Sequence, residues 1–237
     1  MREWLATTHG VINVEEKLER YLEFNPPNLC VLTEFHDLFR QIQDSYVSRY
    51  DYTALTGACC LGERILNLLV IKTRRYHKQS RYYKRIYRND SIQKWDLAMD
   101  ALSDWCVLKG DTIDKFKELS TLRNASVHYG PLRDLRPRAL SSLSLVTAIT
   151  DELFGLRTDI FFCVPGEFYI RKDVEEESIV KEFFIPNCPL VGYKHFLEGG
   201  TNSLIIRDNF DYEPLEVDDD EFRRLREEWE NQRKNKG

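Results

Sequence analysis

The chain has 237 residues, 42% of them hydrophobic, and a formal net charge of -5. That is enough apolar material for one large domain, or one mid-sized domain with an appendage, and it excludes a mainly disordered chain. The average charge conceals an uneven distribution, because Lys72 to Arg88 carries no acid while Asp208 to Glu230 is dominated by Asp and Glu.

In chain order, "MREWLATTHGVINVEEKLERY" lacks the uninterrupted apolar core of a signal peptide. "VEEKLERYLEF" has its apolar residues at helical spacing and is stopped by "NPPN". A second helix lies in "LCVLTEFHDLFRQIQDSYVSRY", with Phe35, Leu38, Phe39, Ile42 and Tyr46 forming one stripe. "YTALTGACCLGERILNLLVIKTRRY" is a longer helix, apolar on most sides, as expected of the central member of a bundle. Its Ala54, Gly57, Ala58 and Gly62 allow a neighbour to approach closely, within the domain or between subunits. The most apolar run, "LNLLVI", is too short to span a bilayer, so no membrane insertion is expected.

"SIQKWDLAMDALSDWCVLKGD" supplies Ile92, Trp95, Leu97, Leu102 and Trp105 to a helix that Gly110 is expected to end. The next helix opens at the N-cap candidate Asp111, places Ile113, Phe116, Leu119, Leu122 and Val127 on one face, and stops at Gly130-Pro131. "PRALSSLSLVTAITDELFG" gives a final bundle helix. Beyond Asp159 come "DIFFCVPGEFYIRKD", "SIVKEFFIP", "PLVGYKHFL" and "SLIIRD", separated by turn signals, which read as a small antiparallel meander. "DDDEFRRLREEWENQRKNKG" closes the chain as a charged amphipathic helix. The predicted class is therefore α+β, mainly α: a helical bundle over 1–155, then a β-rich appendage with an acidic C-terminal helix over 156–237.

Six cysteines show no CxxC pair and no His spacing that suggests zinc, and they read as reduced thiols of a cytoplasmic protein. No Walker loop, dinucleotide fingerprint, HExxH or nucleophile elbow appears, so neither a metal nor a cofactor is expected. "KTRRYHKQSRYYKRIYR", residues 72–88, packs eight Lys or Arg and four Tyr into 17 positions. Its cations attract a polyanion and its tyrosines can stack unpaired bases, which makes Arg74, Arg75, Arg81, Lys84, Arg85, Tyr82 and Tyr83 candidate RNA contacts. The competing reading is a solvated connector whose tyrosines pack back on the bundle.

The remaining candidate is "TLRNASVHYGPL", where Arg123, Asn124 and His128 precede a Gly-Pro stop. An Arg followed by a His with four to six residues between them arises by chance, as Arg2 and His9 show in this chain with six, and such a pair near a helix end is ordinarily solvated or capping. The context is more specific. A long apolar helix with an internal acid, Glu63 in "CLGERILNLLV", then a helix ending in Gly, then "DTIDKFKELSTLRNASVHYG", resembles the HEPN domain superfamily over roughly residues 53–153. "LSTLRNASVHYG" is similar to that superfamily's R-N-x(3)-H motif.

The resemblance implies a metal-independent endoribonuclease that works as a homodimer on single-stranded or loop RNA, in a toxin or antiviral-defence role. Arg123 and His128 would be its catalytic pair, with Asn124 in support and Glu63 as a further polar group on the central helix. It also admits a protein antitoxin, activator or regulator as partner. Some HEPN toxins carry a modified Tyr two positions after the His; Gly130 stands there in this chain, which departs from that form of control. The chemistry suits the residues: cleavage by the 2′-OH needs a proton acceptor, a proton donor and a fixed cation, and His titrates near neutrality while Arg keeps its charge. Five helical steps place Arg123 and His128 roughly 140° apart, whereas Asn124 and His128 share a face, so an Arg–His pair is expected to form between two copies, or within one if the helix loosens at His128 before Gly130. The alternative is a non-catalytic module of this type that dimerises, or senses a nucleotide or RNA.

Overall fold

In the computed structural model the described residues are 1–24, 30–32, 34–127, 133–155, then 160–164, 167–171, 174, 176–184, 196–197, 204–205, 213–217 and scattered positions from 220 to 235. The chain divides into two compact units, Met1–Pro27 with Glu34–Leu153, and Asn28–Thr33 with Phe154–Gly237.

The first unit is built on helices α1 (Arg2–His9), α2 (Val14–Glu23), α3 (His36–Val47), α4 (Asp51–Thr73), α5 (Tyr83–Ile86), α6 (Trp95–Asp104), α7 (Gly110–Val127) and α8 (Leu135–Phe154), with a 3₁₀ turn at Arg74–Tyr76. Helix α4 is the axis of its core. Leu55, Ala58, Cys59, Ile65, Leu66, Leu69 and Val70 are fully or almost fully buried, and α4 packs against α3, α6 and α7. Close packing is made possible by small residues: a Cβ on Gly62 would stand 2.3 Å from Leu119 Cδ2 of α7, and one on Gly57 would stand 2.9 Å from Ile42 Cγ1 of α3. By length and composition Asp51–Tyr76 is apolar enough to cross a membrane, but 56% of its most apolar window is buried inside the bundle, the signature of a core helix.

Two helices end on left-handed residues that are not glycine. Arg49 (φ 71°) closes α3, with Tyr50 N–H donating to Ser45 O and Arg49 N–H to Tyr46 O. Cys106 (φ 57°) closes α6 with the same pair of bonds, Val107 N–H to Leu102 O and Cys106 N–H to Ser103 O. Both are Schellman caps, which satisfy the last carbonyls of a helix. Gly110, expected to end α6, instead opens α7 at φ 42°, so Asp111 sits in the first turn of α7, where its charge favours the positive end of the helix dipole. The N-terminal segment, read only for what it lacks, forms helix α1.

Charged side chains join α2, α3, α4 and α8. Arg20 is almost fully buried, donates to Asp51 Oδ1 at 2.5 Å and to Tyr46 O at 3.1 Å, and lies over the Tyr46 ring. Arg136 donates to Glu23 at 2.6 Å and Glu19 at 3.1 Å, and Tyr46 O–H donates to Glu23.

The α+β expectation with an antiparallel β appendage is overturned: the protein is mainly helical, and among the described residues up to 155 the only extended pairing is the isolated Cys30–Gly155 bridge. In the second unit, "SIVKEFFIP" was expected as a strand, yet Ser178 onward is helical with a π turn at Val180–Phe184. The reason is periodic. Ile179, Val180, Phe183 and Phe184 are the buried apolar positions, a one-four spacing that makes one helical face, whereas alternation would have pointed Glu182 inward. Phe154 meets Phe183 edge-on at 5.1 Å.

The short extended segments on either side of it are not a meander either: Ile160–Val164 runs antiparallel to Glu167–Arg171, but Glu213–Val217 joins that strand in parallel. Phe196–Leu197 pairs separately with Leu204–Ile205. Described positions between 220 and 235 are helical and exposed.

Candidate functional site

Helix α7 brings Arg123 to α4. Thr112, Phe116, Leu119 and Ser126 are its buried positions, so the inward line passes through residue 123 and leaves Val127, expected inside, 54% exposed. Arg123 thus occupies a core-facing register at the half-open end of the helix pair. Its Nη2 lies 3.4 Å from Glu63 Oε2, and both side chains are about three-tenths exposed. Its Nη1 donates to Asn124 Oδ1 at 3.3 Å.

A guanidinium has five N–H donors; the Asn124 bond uses one and the Glu63 contact is an ion pair, which leaves donors for a further anion such as phosphate. Asn124 therefore contacts the arginine. Ser126 Oγ donates to Arg123 O at 2.9 Å, and the Cys59 thiol of α4 donates to Leu119 O of α7 at 4.0 Å, so α7 is tied to the core helix one turn before Arg123. Burial and the neighbouring Cys60 push the Cys59 thiol up to about 12, so it stays protonated and inert at neutral pH.

His128 lies outside the described residues. Of the four catalytic candidates, the structure brings Arg123, Glu63 and Asn124 together. Arg64, next to Glu63 in sequence, makes no ion pair or hydrogen bond with any described residue, and it is exposed.

Glu63 and Arg64 line a cleft of about 500 Å³ along α4 that also includes Phe35, Leu68, Ile71 and Asp90. Cys60, Asn67 and Ser91 complete its lining. Asn67 holds the wall in place, its amide donating to Glu63 O at 3.0 Å and Ile92 O at 3.2 Å while Ile92 N–H donates back to it at 2.5 Å. Sequence reasoning missed this stripe because α4 was read as apolar on most sides. The spacing 60, 63, 64, 67, 68, 71 is nonetheless one helical face and was available as a signal.

In the basic segment the candidates separate. Arg74 is half-buried and donates to Ile86 O at 3.1 Å and Asn89 O at 2.6 Å, so it clamps the loop shut. Arg75, Arg81, Lys84 and Arg85 are exposed. Arg75 lies over the Tyr76 ring at 5.0 Å, Arg81 over Tyr82 at 4.9 Å and Arg88 over Tyr87 at 5.0 Å, cation–π pairs that hold each plane ready beside a charge. Tyr83 stacks on Tyr87 at 5.6 Å. His77 stacks flat on Trp105 at 4.9 Å, and burial lowers its pKa against the opposing pull of Asp104, which favours the neutral imidazole. Among the described residues no group of three or more His, Cys, Asp or Glu stands close enough to hold a metal ion.

No family model, no curated protein and no solved structure matches the chain.

Proposed function

We propose that the protein is a metal-independent, homodimeric endoribonuclease of HEPN type, acting in the cytoplasm on single-stranded or loop RNA as a toxin or defence effector. The observation that carries this reading is the Arg123–Glu63 pair across α7 and α4. The two residues are sixty positions apart, both belong to the motif resemblance, and their contact holds a permanent cation in a half-open setting with donors to spare.

Arg123 supplies the charge that stabilises phosphate in the transition state; His128, from the partner copy, moves the proton. Exposed Arg75, Arg81, Lys84 and Arg85, with Tyr82 and Tyr83, hold the strand through its phosphates and bases. A protein antitoxin or activator is compatible with this role.

The test is cleavage of a structured RNA by the purified protein, with and without chelator. Chelator-resistant products with 2′,3′-cyclic phosphate ends, lost in His128→Ala and in Arg123→Ala, are the expected result; no cleavage by a folded dimer rejects the reading. One observation favours the second reading, a non-catalytic dimeric or RNA-sensing module: Arg123 is already partly neutralised by Glu63. That reading predicts salt-dependent RNA binding without cleavage.

A further inference from the structure

The cleft along α4 ends where the basic segment begins and returns. Ile71 directly precedes Lys72, and Asp90 follows Arg88 by two residues, so the groove runs from the Arg123–Glu63 contact to both roots of residues 72–88. Its chemistry is mixed in a particular way. Phe35 offers a half-exposed ring, Leu68 and Ile71 an apolar floor, Arg64 a guanidinium that makes no bond with any described residue, and Asp90 an exposed carboxylate equally without a described partner. A cleft of about 500 Å³ is of small-ligand size. An aromatic face, an uncommitted cation and a carboxylate acceptor match the three parts of one nucleotide: base plane, phosphate and base edge.

We infer that this cleft is a subsite for a single guanosine nucleotide of the RNA strand, with Arg64 on its phosphate, Phe35 stacked on its base and Asp90 accepting from its edge. Guanine is chosen by the acceptor. A carboxylate takes two adjacent N–H donors best, and on the Watson–Crick edge guanine alone presents N1–H beside N2–H₂; adenine and cytosine present a single amino group, and uracil only N3–H. The inference rests on the ribonuclease reading for its strand, since the subsite lies beside Arg123. It concerns binding and is separable from cleavage.

The experiment titrates the full-length protein with guanosine, adenosine, cytidine and uridine 5′-monophosphates by calorimetry, with Arg64→Ala, Phe35→Ala and Asp90→Asn alongside. Expected are preferential binding of the guanosine nucleotide, at least a tenfold loss in Arg64→Ala and in Phe35→Ala, and in Asp90→Asn a loss of the preference with the other three nucleotides unchanged. A structural role for Asp90 would weaken all four together. All three positions are exposed or half-exposed, so the variants should fold, and circular dichroism checks this.

Equal binding of the four nucleotides, no binding at millimolar concentration, or a change of dimer affinity in place of nucleotide affinity overturns the inference; the last would make the face a contact between copies. Guanosine binding without RNA cleavage rejects the ribonuclease reading and leaves the subsite standing. Chelator-resistant cleavage that all three variants retain, with no nucleotide binding, does the reverse.

Discussion

At the scale of single residues, the instructive case is Arg123. In sequence it is a polar interruption near the end of an apolar stripe, and the simplest expectation is solvent. In the fold it lies on the inward line of α7 between Leu119 and Ser126, and faces Glu63 at 3.4 Å. Neither residue is deeply buried, so the pair contributes little to stability, and its weight lies in direction. Glu63→Gln keeps the shape and removes the charge. If the ribonuclease proposal holds and Glu63 aims the guanidinium, the variant should unfold at nearly the wild-type temperature yet cleave RNA about 10- to 100-fold more slowly, since small misplacements at a reacting phosphate carry costs of that order. The fall should appear in kcat, with KM nearly unchanged. A Glu63→Gln protein with wild-type kcat would make the pair ornamental to catalysis.

At the scale of elements, helix positions were readable because apolar spacing reports burial, and α2, α3, α4, α7 and α8 lie within the segments read as helical; their faces were less so, since Leu22, Leu38 and Val127, all placed in apolar stripes, are exposed. Helix ends were less readable. Gly110 looked like a stop, but the stops are Arg49 and Cys106, residues whose left-handed backbone is imposed by the Schellman bonds and has no compositional mark. The "SIVKEFFIP" segment failed for a different reason: its two apolar pairs fit both a buried strand and a helix, and only the position of Glu182 discriminates.

These readings predict opposite effects of two small substitutions. Cys106→Gly removes the cost of a side chain at φ 57° from an exposed position, and should stabilise the bundle by about 0.5–1 kcal/mol in urea unfolding. Gly62→Ala drives a methyl to within 2.3 Å of Leu119 in the tightest helix contact, and should destabilise by about 1–3 kcal/mol. A neutral Gly62→Ala would mean that α4 and α7 are less closely apposed than described.

At the scale of the bundle, what holds α2 to its neighbours is a polar network, and no hydrophobic pattern could have shown it. Arg20, Tyr46 and Glu23 are separated in sequence by up to 26 residues, and each alone reads as an ordinary amphipathic position. Together they couple the first unit's stability to pH on both sides. Burial pushes the Glu23 carboxyl up, but hydrogen bonds from Tyr46 and Arg136 outweigh it, and its pKa falls below the usual value. A depressed carboxyl stabilises the fold above its unfolded pKa, and that contribution disappears as pH drops through the folded value, so the acid limb lies below about pH 4.

Tyr46 behaves oppositely. Burial, and then the adjacent Glu23, raise it to about 12. The fold keeps its phenol protonated, so the stabilisation is complete below pH 10, the ordinary value, and is lost as pH rises toward 12. Glu23→Gln should therefore flatten the acid limb of a stability–pH profile measured by urea unfolding, and Tyr46→Phe should flatten the alkaline limb. Because Tyr46→Phe also removes the hydrogen bond that helps to depress Glu23, it should shrink the acid limb as well, by raising its low-pH edge toward the ordinary carboxyl value. Two limbs that responded independently would show that Tyr46 and Glu23 do not share a proton-linked contact, and the network joining α2 to α3 and α8 would have to be divided into separate pairs.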